Sequence, residues 1–155
     1  MKNEITTCQI CGRDIKAKTG VIAHHGYQRP NRGSGWQTAS CRGARGLPYE
    51  VSCDLLPPTI EYIKIYIANQ KKHLKDFTEN PPEELSISFM SFDGKNKKTI
   101  RPEKYKYNEE RGSYPAFSYE SEHRHTIYQI KRDIKASGYD LNFMEKRLKN
   151  WVAPK

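Results

Sequence analysis

Cys8-Gln9-Ile10-Cys11-Gly12, followed downstream by His24-His25 and then Cys41, is the stretch on which the fold turns. Two cysteines separated by two residues sit on one tight turn, which aims both sulfurs at a single point. Zinc takes four tetrahedral sulfur or nitrogen ligands, and this stretch supplies Cys8, Cys11, one histidine and Cys41 at usable separations. The expected ligand set is Cys8, Cys11, His25 and Cys41. His24 stands as the alternative to His25, because adjacent side chains do not readily face the same way. Cys53 is read either as a replacement for Cys41 or as a buried free thiol. The expected cofactor is therefore a structural Zn2+. Gly, Ser, Pro and Asn fill the spaces between these residues, with Tyr27 and Trp36 among them, so residues 1 to about 50 are expected to be knuckle and loop.

Working outward, residues 1–56 read as a basic zinc-binding module and residues 57–155 as a helical hairpin with a β-hairpin inserted in it. Pro57-Pro58-Thr59 suits a helix start. Ile60, Ile63, Ile67, Leu74 and Phe77 then recur at alternating three- and four-residue steps, with Gln70 at the missing step. The same grammar returns at Ile127, Ile130, Ile134, Leu141, Met144, Leu148 and Trp151, with Ser137 in the corresponding gap. Joined antiparallel, the two stripes would bring Ile60 near Trp151 and Phe77 near Ile134. Gly138 weakens the second helix by about 1 kcal/mol relative to Ala, yet one long helix remains the expectation. Between the helices, Leu85-Ser86-Ile87-Ser88-Phe89 alternates with period two ahead of Asp93-Gly94, as a strand entering a turn does. The fold class is α+β: a zinc knuckle, two antiparallel seam helices and a short β-hairpin.

The chain of 155 residues carries Lys+Arg 27 against Asp+Glu 18, a net charge of +9, which favours polyanionic partners through counterion release. That charge is concentrated. No Asp or Glu occurs from Ile15 to Tyr49, whereas Lys16, Lys18, Arg29, Arg32, Arg42 and Arg45 all fall there. A second basic patch follows the β-turn, with Lys95, Lys97, Lys98, Arg101, Lys104 and Lys106 interleaved with Tyr105 and Tyr107. The candidate nucleic-acid contacts are Lys16, Lys18, Arg29, Arg32, Arg42, Arg45, Lys97, Lys98 and Arg101, with Tyr27 and Trp36 read either as stacking platforms or as a miniature core under the knuckle.

The string Cys8-x2-Cys11, Ile22-Ala23-His24-His25-Gly26-Tyr27-x-Arg29-Pro30, Gly35-Trp36-Gln37-Thr38-Ala39-Ser40-Cys41 and Leu47-Pro48-Tyr49-Glu50-Val51-Ser52 resembles a family of small phage and prophage proteins. The resemblance implies a zinc-knuckle N-terminus joined to a helical body ending in Trp151, and it brings no catalytic residues. The order Cys-x2-Cys-Gly, His-His, Cys is also similar to the front half of HNH nucleases, whose paired histidines open a metal-dependent catalytic site. In that family a later Asn and His lie beside a second clasp. Here Arg42-Gly43-Ala44 follows Cys41, and the next histidine is His73 in the predicted seam helix.

The start, Lys2-Asn3-Glu4, has no apolar signal core, and no apolar run approaches the roughly 20 residues that span a bilayer. The expected location is thus the cytoplasm, which for a phage protein is that of the host cell, with no membrane partner. The leading functional expectation is a non-enzymatic, zinc-stabilised protein that binds nucleic acid through its basic surface. The alternative is a phage protein that binds and modulates a host protein, and the third reading is an HNH-like metal-dependent nuclease. A homodimer is a further arrangement, formed through the apolar positions Ile65, Tyr139 and Phe143.

Overall fold

A computed structural model describes residues 4–18, 20–30, 39–91, 94–101 and 118–154. The architecture is α+β, with two helices and two small antiparallel sheets. Strands β1 (Glu4–Thr7), β2 (Asp14–Lys18) and β3 (Val21–Ile22) form a three-stranded sheet in the order β1-β2-β3. Glu4 pairs with Ala17 and Thr7 with Asp14, which closes the Cys8–Arg13 segment into the loop of a hairpin. This sheet departs from the knuckle-and-loop expectation. Its signal is short: β-branched Ile5-Thr6-Thr7, and Ile15 and Ala17 on one face of β2. The turn-forming composition of the longer segment around it masks so brief an alternation.

Helix α1 (Leu56–Glu79) starts with Pro57 and Pro58 in its first turn, where missing N–H groups cost no intrahelical bond. Strands β4 (Leu85–Ser91) and β5 (Gly94–Ile100) pair in register from Leu85 with Ile100 to Ser91 with Gly94. Helix α2 (Tyr119–Asn150) runs unbroken through Gly138. Among the described residues, no helix is long and apolar enough to cross a membrane.

Contacts divide the chain into two compact units, 1–68 with 135–155 and 69–134. This partition passes through both helices and differs from the compositional one at residue 56. The helices run antiparallel within each unit, close to the expected register in the first and displaced from it in the second. In the first unit Lys64 Nζ meets Glu145 at 2.9 Å, and Ile60 shares a core with Met144 and Leu148. Trp151 lies past the end of α2 and donates its indole N–H to the Tyr49 carbonyl at 2.8 Å. In the second unit Phe77 stacks on His123, with centroids 4.7 Å apart, rather than meeting Ile134. His123 also donates Nε2–H to the Phe77 carbonyl, and Tyr119 donates its hydroxyl to the Pro82 carbonyl. These aromatic and polar contacts choose the register there, because a heptad stripe alone tolerates sliding.

The core of the first unit is Cys8, Ile10, Cys11, Ile22, Cys41, Leu56, Ile60 and Met144. Three of its eight members are cysteines, so this interior is organised around sulfur.

Candidate metal centre

The β1–β2 hairpin builds the clasp. Cys8 N–H donates to the Arg13 carbonyl (2.9 Å) and Gly12 N–H to the Cys8 carbonyl (3.0 Å), curling the turn so that both sulfurs face inward. Gly12 has φ +69°, in the left-handed region that glycine enters most easily. A Cβ there would also lie 2.7 Å from the Phe143 ring.

The other two donors arrive from a second pairing. Gly26 bridges Ser40, Tyr27 N–H donates to the Ala39 carbonyl, and Cys41 N–H donates to the His25 carbonyl at 2.9 Å. This ties His25 and Cys41 side by side. Cys41 opens a second tight turn, with Ala44 N–H on its carbonyl, and Gly43 passes so close to Cys8 Sγ that a Cβ would overlap the sulfur.

The result is a group of four donor atoms, from Cys8, Cys11, His25 and Cys41, all within 4.8 Å of one another and all on buried residues. Cys8 Sγ is 3.8 Å from Cys41 Sγ, and Cys11 Sγ is 3.5 Å from His25 Nε2. The choice between the paired histidines is made by the backbone. His25 Nδ1 lies 2.9 Å from the Ala23 carbonyl, which can only accept, so Nδ1 carries the proton and Nε2 presents its lone pair to the sulfurs. His24 is exposed, its Nε2 sharing a 3.0 Å hydrogen bond with Ser40 Oγ. Cys53 is half-buried against the core and lies outside the four-donor group.

Three thiols at this spacing do not ionise together unaided. Cys11 is held far below the ordinary thiol value, first by the hydrogen bond from Cys41 and then by that from Cys8. Cys8 and Cys41 are pushed up, each chiefly by its hydrogen bond to Cys11. A dication at the centre of the group removes this conflict, because it favours the thiolate at every position. Buried, convergent and soft, the donor set is that of a metal site.

Gln9, between the two clasp cysteines, is the site residue that spacing rules miss. Fully buried, it donates Nε2–H bonds to the Leu47 carbonyl and Asp54 Oδ1 (both 2.9 Å) and accepts one from Leu55 N–H at 3.0 Å. It thereby joins the clasp to the start of α1. The Asp54 carboxyl sits below its ordinary value, first through the Ser52 hydroxyl and then through Gln9.

The basic candidates divide. Lys16, Arg42, Arg45 and Lys97 are exposed. Arg42 lies 3.7 Å over the ring of Tyr62, and Arg45 is held at φ +65° in the turn after Cys41. Arg29 is committed to a two-oxygen contact with Asp140 at 3.0 Å, and Arg101 pairs with Glu84 at 3.1 Å. Tyr27 packs against the metal-side core with its hydroxyl buried, and burial raises its pKa. Arg32, Trp36, Lys104, Tyr105, Lys106 and Tyr107 lie outside the described residues, as do the side chains of Lys18 and Lys98. Phe143, expected to be free for a second copy, is taken up beneath Gly12 of its own chain.

Comparison with protein-family models, with curated proteins and with solved structures finds no match to this chain.

Proposed function

We propose that the protein is a zinc-stapled, non-catalytic nucleic-acid-binding protein. The observation that carries this reading is the completeness of the donor set. A zinc ion bonded to three thiolates at about 2.3 Å and one imidazole at about 2.0–2.1 Å requires S···S edges near 3.8 Å and S···N edges near 3.6 Å if tetrahedral. The spacings of 3.8 Å and 3.5 Å fit those edges. Four protein ligands leave no coordination position for an activated water, which a hydrolytic zinc needs. His24, the other half of the histidine pair, is engaged by Ser40 rather than by the donor group.

Binding to a polyanion is supported by what surrounds this centre. Lys16 on β2 and Arg42 and Arg45 in the turn after Cys41 are exposed, along a stretch with no acidic residue from Ile15 to Tyr49. Their backbones are pinned by the clasp pairing and the Cys41 turn, so less ordering entropy is lost on contact. Arg29 and Arg101 drop out of the contact set, since each is neutralised by a carboxylate.

Fluorescence anisotropy of the zinc-loaded protein with short single-stranded and duplex DNA and RNA over a salt series tests the reading. Three phosphate contacts predict a log–log salt slope of about −2 on single strands and about −2.7 on duplex. The double variant R42A/R45A is expected to flatten the slope by about two-thirds, whereas R101A leaves it unchanged. One zinc per chain without salt-dependent affinity would overturn nucleic-acid binding and favour a protein partner.

A further inference from the structure

A centre of three thiolates, one neutral imidazole and one divalent cation carries a net charge of about −1, and burying that charge calls for a nearby cation. No acidic residue in the Ile15–Tyr49 stretch complicates the balance, and the Glu50 carboxylate is turned onto Thr7 N–H at 3.0 and 3.1 Å. One cation is local, since the Arg13 side chain reaches Cys11 and the Gly26 carbonyl, and a second comes from the far end of the sequence. Arg147, in the last turns of α2, donates from Nη2 to the Cys8 carbonyl at 3.3 Å, the same oxygen that closes the Cys8–Gly12 turn. Its Nη1 lies 3.5 Å from the position a Cβ would take on Gly12. The guanidinium is stacked 3.7 Å from the Tyr49 ring, and the Tyr49 hydroxyl donates to the Arg147 carbonyl at 2.7 Å. Tyr49 is in turn fixed by the Trp151 indole. Arg147 Nε is buried without a hydrogen-bond partner, so the packing holds a charged fork in place at the expense of one of its donors.

We propose that Arg147 is an outer-sphere cation of the metal clasp alongside Arg13, a positioning residue that raises metal affinity by offsetting the charge of the thiolate centre and ties metal occupancy to the docking of the last turns of α2. This rests on the metal reading of Cys8, Cys11, His25 and Cys41. Reciprocity follows: whatever binding energy Arg147 adds to the loaded clasp, the metal returns to the docked helix. Outer-shell partners of metal ligands typically govern affinity by ten- to a hundredfold.

The experiment is a zinc titration of the full chain against a chromophoric chelator, run on wild type, R147Q, R147K and D140N. Amide exchange over residues 141–150 is followed with and without zinc. The expected pattern is a ten- to hundredfold loss of zinc affinity in R147Q, with R147K within threefold of wild type. D140N loosens the same helix through Arg29 without touching the clasp charge, and it should also stay within threefold. Zinc should slow exchange over 141–150 in wild type and much less in R147Q. Affinity in R147Q within twofold of wild type would overturn the proposal. So would an R147K or D140N loss as large as that of R147Q, which would assign the effect to docking alone. If R147Q fails to fold in excess zinc, R147K decides: retention supports the assignment, and a tenfold loss overturns it. Wild type that takes up no zinc would show that the metal reading itself fails.

Discussion

The two units of this chain solve the same problem with different materials. Residues 1–68 and 135–155 bury Ile10, Ile22, Leu56, Ile60 and Met144 around three cysteines and a histidine, with Gln9 hydrogen-bonded on all sides. Among its described residues, the 69–134 unit buries only Ile100, Tyr119 and Ile130, and relies on one β-hairpin and an aromatic stack on His123. A core this small is marginal, and small units commonly add a metal or other cross-link where apolar area runs short. The lesson is that cohesion here follows donor atoms more than apolar surface, so the two units should respond very differently to the same insult.

The largest expected effect comes from the metal ligands. Structural zinc in small modules contributes an apparent 10–16 kcal/mol or so, comparable to or larger than the roughly 5–15 kcal/mol that stabilises a whole domain. Cys8→Ser or Cys11→Ser should therefore abolish zinc uptake by elemental analysis and remove amide protection across 4–30 and 41–68. Protection over 135–150 should fall with it, because Met144 shares the sulfur core, while much of the helical circular dichroism persists from 69–79 and 119–134. Equal loss of protection in both units would sink the contrast drawn above. Unchanged metal content in both variants would remove its cause.

How far that contrast is legible in the chain depends on the element. Cys8-x2-Cys11 announces itself because a two-residue spacing has few other uses in a basic, cysteine-poor sequence. The histidine does not, since His24 and His25 are equivalent until the exit of β3 places the Ala23 carbonyl against one ring. The helices are legible from Ile60, Ile63, Ile67 and their counterparts in α2, whose three-and-four steps survive every substitution of context. Their register in the second unit is not, because Phe77 is claimed by His123, a contact with no periodic signature. The three-stranded sheet is missed for a related reason: β3 spans two residues, too few for any alternation to show.

Gln9 supplies the next test in size. Gln9→Leu keeps the volume but strips partners from the Leu55 N–H and the Leu47 carbonyl, at about 1–3 kcal/mol for each group left buried and unpaired. In urea unfolding of the zinc-loaded chain this should appear as a lower midpoint with an unchanged slope. The counterpart in the other unit is Thr78→Val, which deletes an exposed 2.7 Å bond to the Leu74 carbonyl and should cost no more than about 0.5 kcal/mol. If Gln9→Leu proved as mild as Thr78→Val, the polar frame beneath the clasp would be ornamental to stability.

Two ion pairs give the smallest and sharpest comparison, because one lies in each unit and their geometries are similar. Arg29 meets Asp140 at 3.0 Å and Arg101 meets Glu84 at 3.1 Å. They differ in surroundings: the Asp140 side chain is 9% exposed, whereas that of Glu84 is 54% exposed. Removing Arg29 leaves a carboxylate in a poorly solvated place, a cost of several kcal/mol for a fully buried pair. It is reduced here to about 1–2 kcal/mol because Arg29 itself is partly open to water. Removing Arg101 leaves Glu84 in solvent, so Arg101→Ala should shift stability by no more than about 0.5 kcal/mol. Salt separates the two cases further. At 1 M ionic strength the screening length falls to about 3 Å, which erases the exposed pair and leaves the buried one largely intact. Arg29→Ala should thus stay costly in high salt while Arg101→Ala becomes silent. If the two converged instead, Asp140 would have to be reached by water as freely as Glu84, and the metal-organised unit would have lost the dry interior that sets it apart.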